Sequence, residues 1–276
     1  MNILESIIYG IFSGFSEFLP ISTLGHQYLL KIFFGASSPE PLRDLIIHAA
    51  ILTSVYMSYG TYIEKLRREF RRNKMTKTQR SIKIDRKAFY DLSFIKSIAV
   101  VMLLGIIILR IIFHPSFSLA WIAFGFFVNG LLILIPEYMP HGNKDSEKMS
   151  GLDGVLLGIG SALSVFPGFS RVGICLSCAV SRGADQEKAY SWILILTIPC
   201  VLLLFIFDIV AIFQVDFGAV TFIIFLSYIL SGIFAFAASV AAIYLMRFML
   251  VRSGLSFFAF YSFGAALLSI LLYLSA

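Results

Sequence analysis

Apolar residues run through this chain in long blocks, and six blocks are long enough to cross a bilayer. They cover about 41–60, 93–113, 117–137, 189–212, 219–246 and 256–275. Crossing ~30 Å of hydrocarbon takes ~20 helical residues. Two further apolar regions, about 1–35 and 151–185, are interrupted by polar groups. The first break is Ser16-Glu17-Phe18-Leu19-Pro20-Ile21-Ser22-Thr23-Leu24-Gly25-His26, and the second is Phe166-Pro167-Gly168-Phe169-Ser170-Arg171-Val172-Gly173. Each region is too interrupted for one straight span and too short for two, so the pattern predicts a re-entrant helical hairpin in each. Non-helical backbone at membrane depth survives only where protein buries it or where it lines a wet cavity.

The order is therefore a hairpin and three spans, twice. Three is odd, so the second unit is expected to be inverted relative to the first. An offset of 148 pairs Gly10 with Gly158, Ile11 with Ile159, Ser13 with Ser161, Ser16 with Ser164, Phe18 with Phe166, Ser22 with Ser170 and Gly25 with Gly173. The expected fold is an all-α integral membrane protein with an inverted-topology repeat, the halves being 1–137 and 138–276. Such repeats place a ligand site where broken helices meet at mid-membrane.

Composition agrees. The chain of 276 residues is 59% hydrophobic, against ~45–50% for soluble domains, and its mean hydropathy is +0.89. It is read as one polytopic unit of the cell membrane, and its start lacks the pattern of a removable signal peptide. The net charge of +6 would suit a nucleic-acid binder, but twelve of the 22 Lys and Arg residues fall between Lys65 and Lys96. That concentration instead predicts a cytoplasmic loop over 61–92, which anionic lipid headgroups would also attract. With this loop inside, the first hairpin enters from outside and the second from inside, and spans 93–113 and 117–137 join at a His114-Pro115 turn. No nucleic-acid partner is expected, and the reading leaves room for a homodimer. Cys175 and Cys178 form a C-x-x-C without a second pair or a nearby His, so packing rather than metal or redox chemistry is expected of them and of Cys200.

The two breaks carry the candidate chemistry. Glu17 is a lone carboxylate that must be protonated, paired or bound to a cation. Magnesium is often held by one or two carboxylates plus phosphate oxygens and water. Pro20 stops a helix. Ser22, Thr23 and Gly25 then offer hydroxyls and free N–H groups, and a helix restarting there would favour an anion. His26 lies within one helical turn of Thr23, an arrangement open to a nucleophile with its base, an acid to a leaving group, or direct attack on phosphorus. Arg171 offers a planar fork suited to phosphate oxygens. Gly168 and Gly173 allow close backbone approach. Asp44, His48 and Asp208 are read as helix-end or interface groups.

The motifs E-F-L-P-[IV]-S-[ST]-x-G-H and P-G-x-S-R-x-G, present here as Glu17–His26 and Pro167–Gly173, resemble those of the undecaprenyl-diphosphate phosphatases, also called bacitracin-resistance proteins. The resemblance covers the whole chain. It implies removal of the terminal phosphate from a polyprenyl diphosphate, recycling a lipid carrier, with a divalent cation (magnesium or calcium) assisting. It implies Glu17 as a metal or substrate ligand, Thr23 as nucleophile or diphosphate contact, His26 as the essential histidine, and Ser170 with Arg171 as a diphosphate clamp; Ser22, Gly168 and Gly173 would line the substrate. The chain departs from the family pattern at Ser13 (a second Glu), Leu24 and Val172 (hydroxyl residues) and Ser262 (Arg). The expected function is that of a membrane phosphatase, and the alternative is a flippase or non-catalytic binder of a phosphorylated isoprenoid lipid.

Overall fold

The computed structural model describes residues 2–35, 40–74, 85–113, 117–140, 142–213, 220–252 and 255–275. The centre of the basic stretch and the expected His114-Pro115 turn lie outside the described residues. Ten α-helices are described: α1 Ile3–Phe18, α2 Thr23–Phe33, α3 Pro41–Lys74, α4 Arg86–Ile112, α5 Leu119–Tyr138, α6 Gly151–Ala162, α7 Arg171–Ser181, α8 Gln186–Ile212, α9 Phe222–Val251 and α10 Ser256–Ser275. Among the described residues there is no β-strand, only an isolated bridge between Lys144 and Ala184.

Five helices, α4, α5, α8, α9 and α10, are long and apolar enough to cross a membrane. The sixth expected span, 41–60, does not join them. It lies within the 34-residue α3, where Arg43, Asp44 and His48 dilute the apolar run and Tyr59 leaves helical geometry at φ −126°. The stretch 61–92, expected as a loop, is helical wherever it is described except at Asp85, since α3 continues to Lys74 and α4 begins at Arg86. Its charges explain this. Glu64 pairs with Arg67 and Arg68, and Glu69 with Arg72, at helical spacing, where such pairs support a helix. Asp85 then caps α4 by accepting from the Ala88 N–H at 3.1 Å.

Helix starts follow the sequence closely. Asn2 with Glu5 and Ser150 with Asp153 form reciprocal capping boxes at α1 and α6, each satisfying two otherwise orphaned donors. Helix α1 packs on α9 at very short range. A Cβ on Gly10 or Gly14 would stand 2.2 Å from the Ser231 or Ala235 carbonyl oxygen. Small residues one turn apart let helix backbones approach in this way.

Asp91, buried on α4, ties the other end of the bundle together. Its carboxylate accepts from Tyr62 Oη at 2.8 Å, Ser146 Oγ at 2.5 Å and Trp192 Nε1 at 3.1 Å. Three elements therefore meet on one acceptor. Asp91→Ala is expected to lower stability by about 3 kcal/mol, because it strands buried donors. Thermal unfolding in detergent checks this, and an unchanged midpoint would refute the hub.

Candidate functional site

The two breaks meet. Helix α1 stops where Leu19 turns extended, and Pro20 brings no N–H to continue it. Ser22, at φ +66°, caps α2. In the second break a 3₁₀ turn over Leu163–Val165 leads to Gly168, at φ +96°, and Ser170 caps α7. The two caps also join the breaks. Ser22 Oγ accepts from the Gly25 N–H at 3.2 Å and from the Gly168 N–H at 3.0 Å. Ser170 Oγ accepts from the Gly173 N–H at 3.2 Å and donates to the Leu19 carbonyl at 3.3 Å. Asn129 of α5 spans both: its Oδ1 accepts from the Ser170 N–H at 3.0 Å, and its Nδ2 donates to the Pro20 carbonyl at 2.9 Å and to Ser262 Oγ at 3.2 Å.

On this frame sits one buried ion pair. Arg171 Nη2 donates to Glu17 Oε1 at 2.7 Å and to Thr197 Oγ1 at 2.8 Å, and Nη1 donates to the Ile193 carbonyl at 3.2 Å. Thr23 Oγ1 donates to Glu17 Oε2 at 3.0 Å. The side chains of Arg171 and Glu17 are 5% and 11% exposed, so little water reaches the pair. The residual exposure faces a cavity of about 590 Å³. Glu17, Thr23, Gln27, His48, Arg110 and Arg171 form its polar wall, and Ile107, Ile111, Phe113, Leu204 and Phe207 belong to its apolar wall. An anion with a hydrocarbon tail matches both walls at once.

Of the expected site residues, Glu17, Thr23 and Arg171 line this cavity. Ser22, Ser170, Gly168 and Gly173 lie behind it as the frame; the two serine hydroxyls are committed to caps and cross-links. His26 is not among the lining residues. Its ring packs between Phe12 and Tyr261, with Phe126 at its edge. Nδ1 lies 2.7 Å from the Ser22 carbonyl and Nε2 lies 2.7 Å from Tyr261 Oη. A carbonyl only accepts, so Nδ1 carries the proton, and in the neutral ring Nε2 accepts from the tyrosine. His26 thus ties α2 to α10.

The departures from the family pattern are absorbed into the same frame. Ser13 Oγ accepts from Gln27 Nε2 at 3.1 Å, Ser262 receives Asn129, Val172 is buried, and Leu24 lines the cavity. Cys175 and Cys200 are buried free thiols, as packing would have them. Among the described residues no three His, Cys, Asp or Glu side chains gather as a metal cage.

Sequence reasoning passed over Asn129, Thr197 and Arg110, although each is a polar residue inside an apolar block and so carried a signal. It read His48 and Asp208 as helix-end or interface groups; they bond to each other across the α3–α8 interface, 160 positions apart, and His48 also lines the cavity.

The family model described as "Bacitracin resistance protein BacA" matches residues 6–268. A Treponema denticola protein named undecaprenyl-diphosphatase is 29% identical over 264 residues, covering 95% of this chain and 94% of the relative. Undecaprenyl-diphosphatase 1 of Shouchella clausii is 28% identical, covering 97% and 95%. Undecaprenyl-diphosphatase 3 of Bacillus cereus is 27% identical, covering 99% and 98%.

Proposed function

This chain belongs to the bacitracin resistance protein BacA family, and from that premise we propose that it is a membrane phosphatase that removes the terminal phosphate of an undecaprenyl-like diphosphate. The hydrolysis returns the lipid carrier as its monophosphate. The observation that carries the reading is Arg171, a buried guanidinium held between Glu17 and Thr197 on the wall of an amphipathic cavity. Fixed donors aimed at a transferring phosphoryl group stabilise its developing charge without reorganising. The apolar wall accepts the start of the isoprenoid chain. Thr23 supplies the hydroxyl nearest the carboxylate.

Glu17 fits a divalent cation, magnesium or calcium, as one carboxylate beside phosphate oxygens and water. Each of its oxygens makes one hydrogen bond in this structure and keeps a further lone pair. A bound cation would supply charge neutralisation on the diphosphate. The lone carboxylate means that the ion would be held as much by the substrate as by the protein. Stripping divalent ions with a chelator is expected to lower the rate at least about 10-fold, and restoring magnesium or calcium should recover it.

The inverted repeat and the re-entrant hairpins remain part of the proposal, and several features support them. Helices α1, α2, α6 and α7, with 16, 11, 12 and 11 residues, are short of the ~20 that a crossing needs. Ser22 and Ser170, which are 148 positions apart, cap α2 and α7 through identical bonds to the residue three further on. Gly10 of α1 meets α9, and Gly158 of α6 meets α4, contacts that interchange under the repeat. The cavity takes the early part of α3 and the late part of α4, so it lies away from the basic stretch. With that stretch cytoplasmic, phosphate is released on the outer side. A cysteine placed at Lys65 should then react only from the inside, and outside labelling would reverse the orientation.

The deciding experiment is phosphate release from undecaprenyl diphosphate by purified protein, with and without chelator. Release that depends on Arg171 is expected. Labelled lipid crossing liposomes with its diphosphate intact, and no release under any divalent cation, would replace the phosphatase with a flippase.

A further inference from the structure

The cavity contains a second ionisable unit beyond the Arg171–Glu17 pair. His48 of α3 lines its wall, and His48 Nδ1 lies 2.5 Å from Asp208 Oδ2 of α8. Both side chains are more than four-fifths buried. A carboxylate can only accept here, so Nδ1 carries the proton and the carboxylate fixes the ring's tautomer and orientation. Among the described residues Nε2 has no hydrogen-bond partner, which leaves it as the ring's open, basic position. A carboxylate-oriented imidazole with a free Nε2 is the arrangement that makes a general base.

His26 offers no such position, because both of its ring nitrogens are engaged outside the cavity lining. His48 shares the cavity with Arg171. The charged groups around His48 are Asp208 from α8, Glu17 from α1 and Asp44 one turn earlier on α3; Arg110 of α4 and Arg171 of α7 line the same cavity. Helix α9 carries no charged residue before Arg247.

Resting on the phosphatase reading, we propose that the His48–Asp208 dyad is the proton acceptor of the reaction, with His48 as a catalytic residue and Asp208 as its positioning residue. His48 Nε2 takes a proton from the attacking water as the water oxygen bonds to the terminal phosphorus. The bond from that phosphorus to the bridging oxygen breaks, and its electron pair leaves on the lipid monophosphate. The proton then passes from the imidazole to the inorganic phosphate, which restores the neutral ring.

The test is steady-state phosphate release across pH for wild type, His48→Gln and Asp208→Asn, together with binding of a non-hydrolysable methylene diphosphonate analogue of the lipid. His48→Gln is expected to lower kcat by about 10²-fold or more, leave KM and analogue affinity within about 3-fold, and abolish the acidic limb of the pH–rate profile. Asp208→Asn should lower kcat by about 10-fold and retain that limb, since the imidazole remains but is less well held. Turnover of His48→Gln within about 3-fold of wild type, with the acidic limb intact, would overturn the proposal. Loss of analogue binding along with the rate would also overturn it, in favour of a purely structural role. A wild-type protein that binds the analogue but releases no phosphate would sink the phosphatase reading itself, an outcome distinct from both.

Discussion

Replacing Arg171 with alanine is expected to cut phosphate release by about 10³-fold, the scale on which a guanidinium stabilises a transferring phosphoryl group. The same change should cost about 3–5 kcal/mol of stability, because it leaves a buried carboxylate without its partner. The structure explains why both losses follow from one residue. Arg171 Nη2 holds Glu17 and Thr197 together, and Nη1 reaches the Ile193 carbonyl, so the guanidinium is both the positive wall of the cavity and the counter-charge of the carboxylate. Arg171→Lys separates the effects. It keeps the charge but loses the fork, so its unfolding midpoint should lie nearer wild type while its rate stays about 10²-fold down. The paired measurements are thermal unfolding in detergent and initial rates on the diphosphate lipid. Near-normal turnover by Arg171→Ala would remove the residue from the site.

Gly168→Ala should be about as damaging by a different route. The residue sits at φ +96°, and an added Cβ would stand 2.6 Å from both the Ile122 carbonyl oxygen and the Phe126 nitrogen. Backbone strain of ~1–3 kcal/mol and overpacking of similar size together give about 4 kcal/mol. Any relaxation must move the Gly168 N–H away from Ser22 Oγ, which uncouples the two breaks and displaces Thr23 from Glu17. Loss of fold and loss of rate are therefore expected together. Gly264→Ala is the control. Nothing lies within 4 Å of its added Cβ, and within a helix alanine is favoured over glycine by ~1 kcal/mol. Equal damage from both substitutions would mean that the close approach at Gly168 is not what matters.

The sequence by itself determined much of this protein. Long apolar runs and their breaks are local signals, so the chain's helical character, five of the six spans and both interruptions were legible. So were Glu17 and Arg171, because an isolated charge in apolar surroundings demands a partner wherever it sits. The motif pair carried the family. The sixth expected span is less legible for a local reason too: the charges of α3 lower its apolarity, so it is not among the five helices apolar enough to cross, and pairs of Glu with Arg make the basic stretch helical where it is described. What only the tertiary structure decided is which polar groups share a cavity. His26 and His48 each stand near hydroxyls or carboxylates in the sequence, and the local break beside His26 pointed to it rather than to His48. The fold turns His26 toward Tyr261, 235 positions away, and gives His48 to Asp208, 160 positions away. Hydrogen bonds of that span depend on how the helices pack, and packing is a property of the assembled bundle rather than of any stretch of chain.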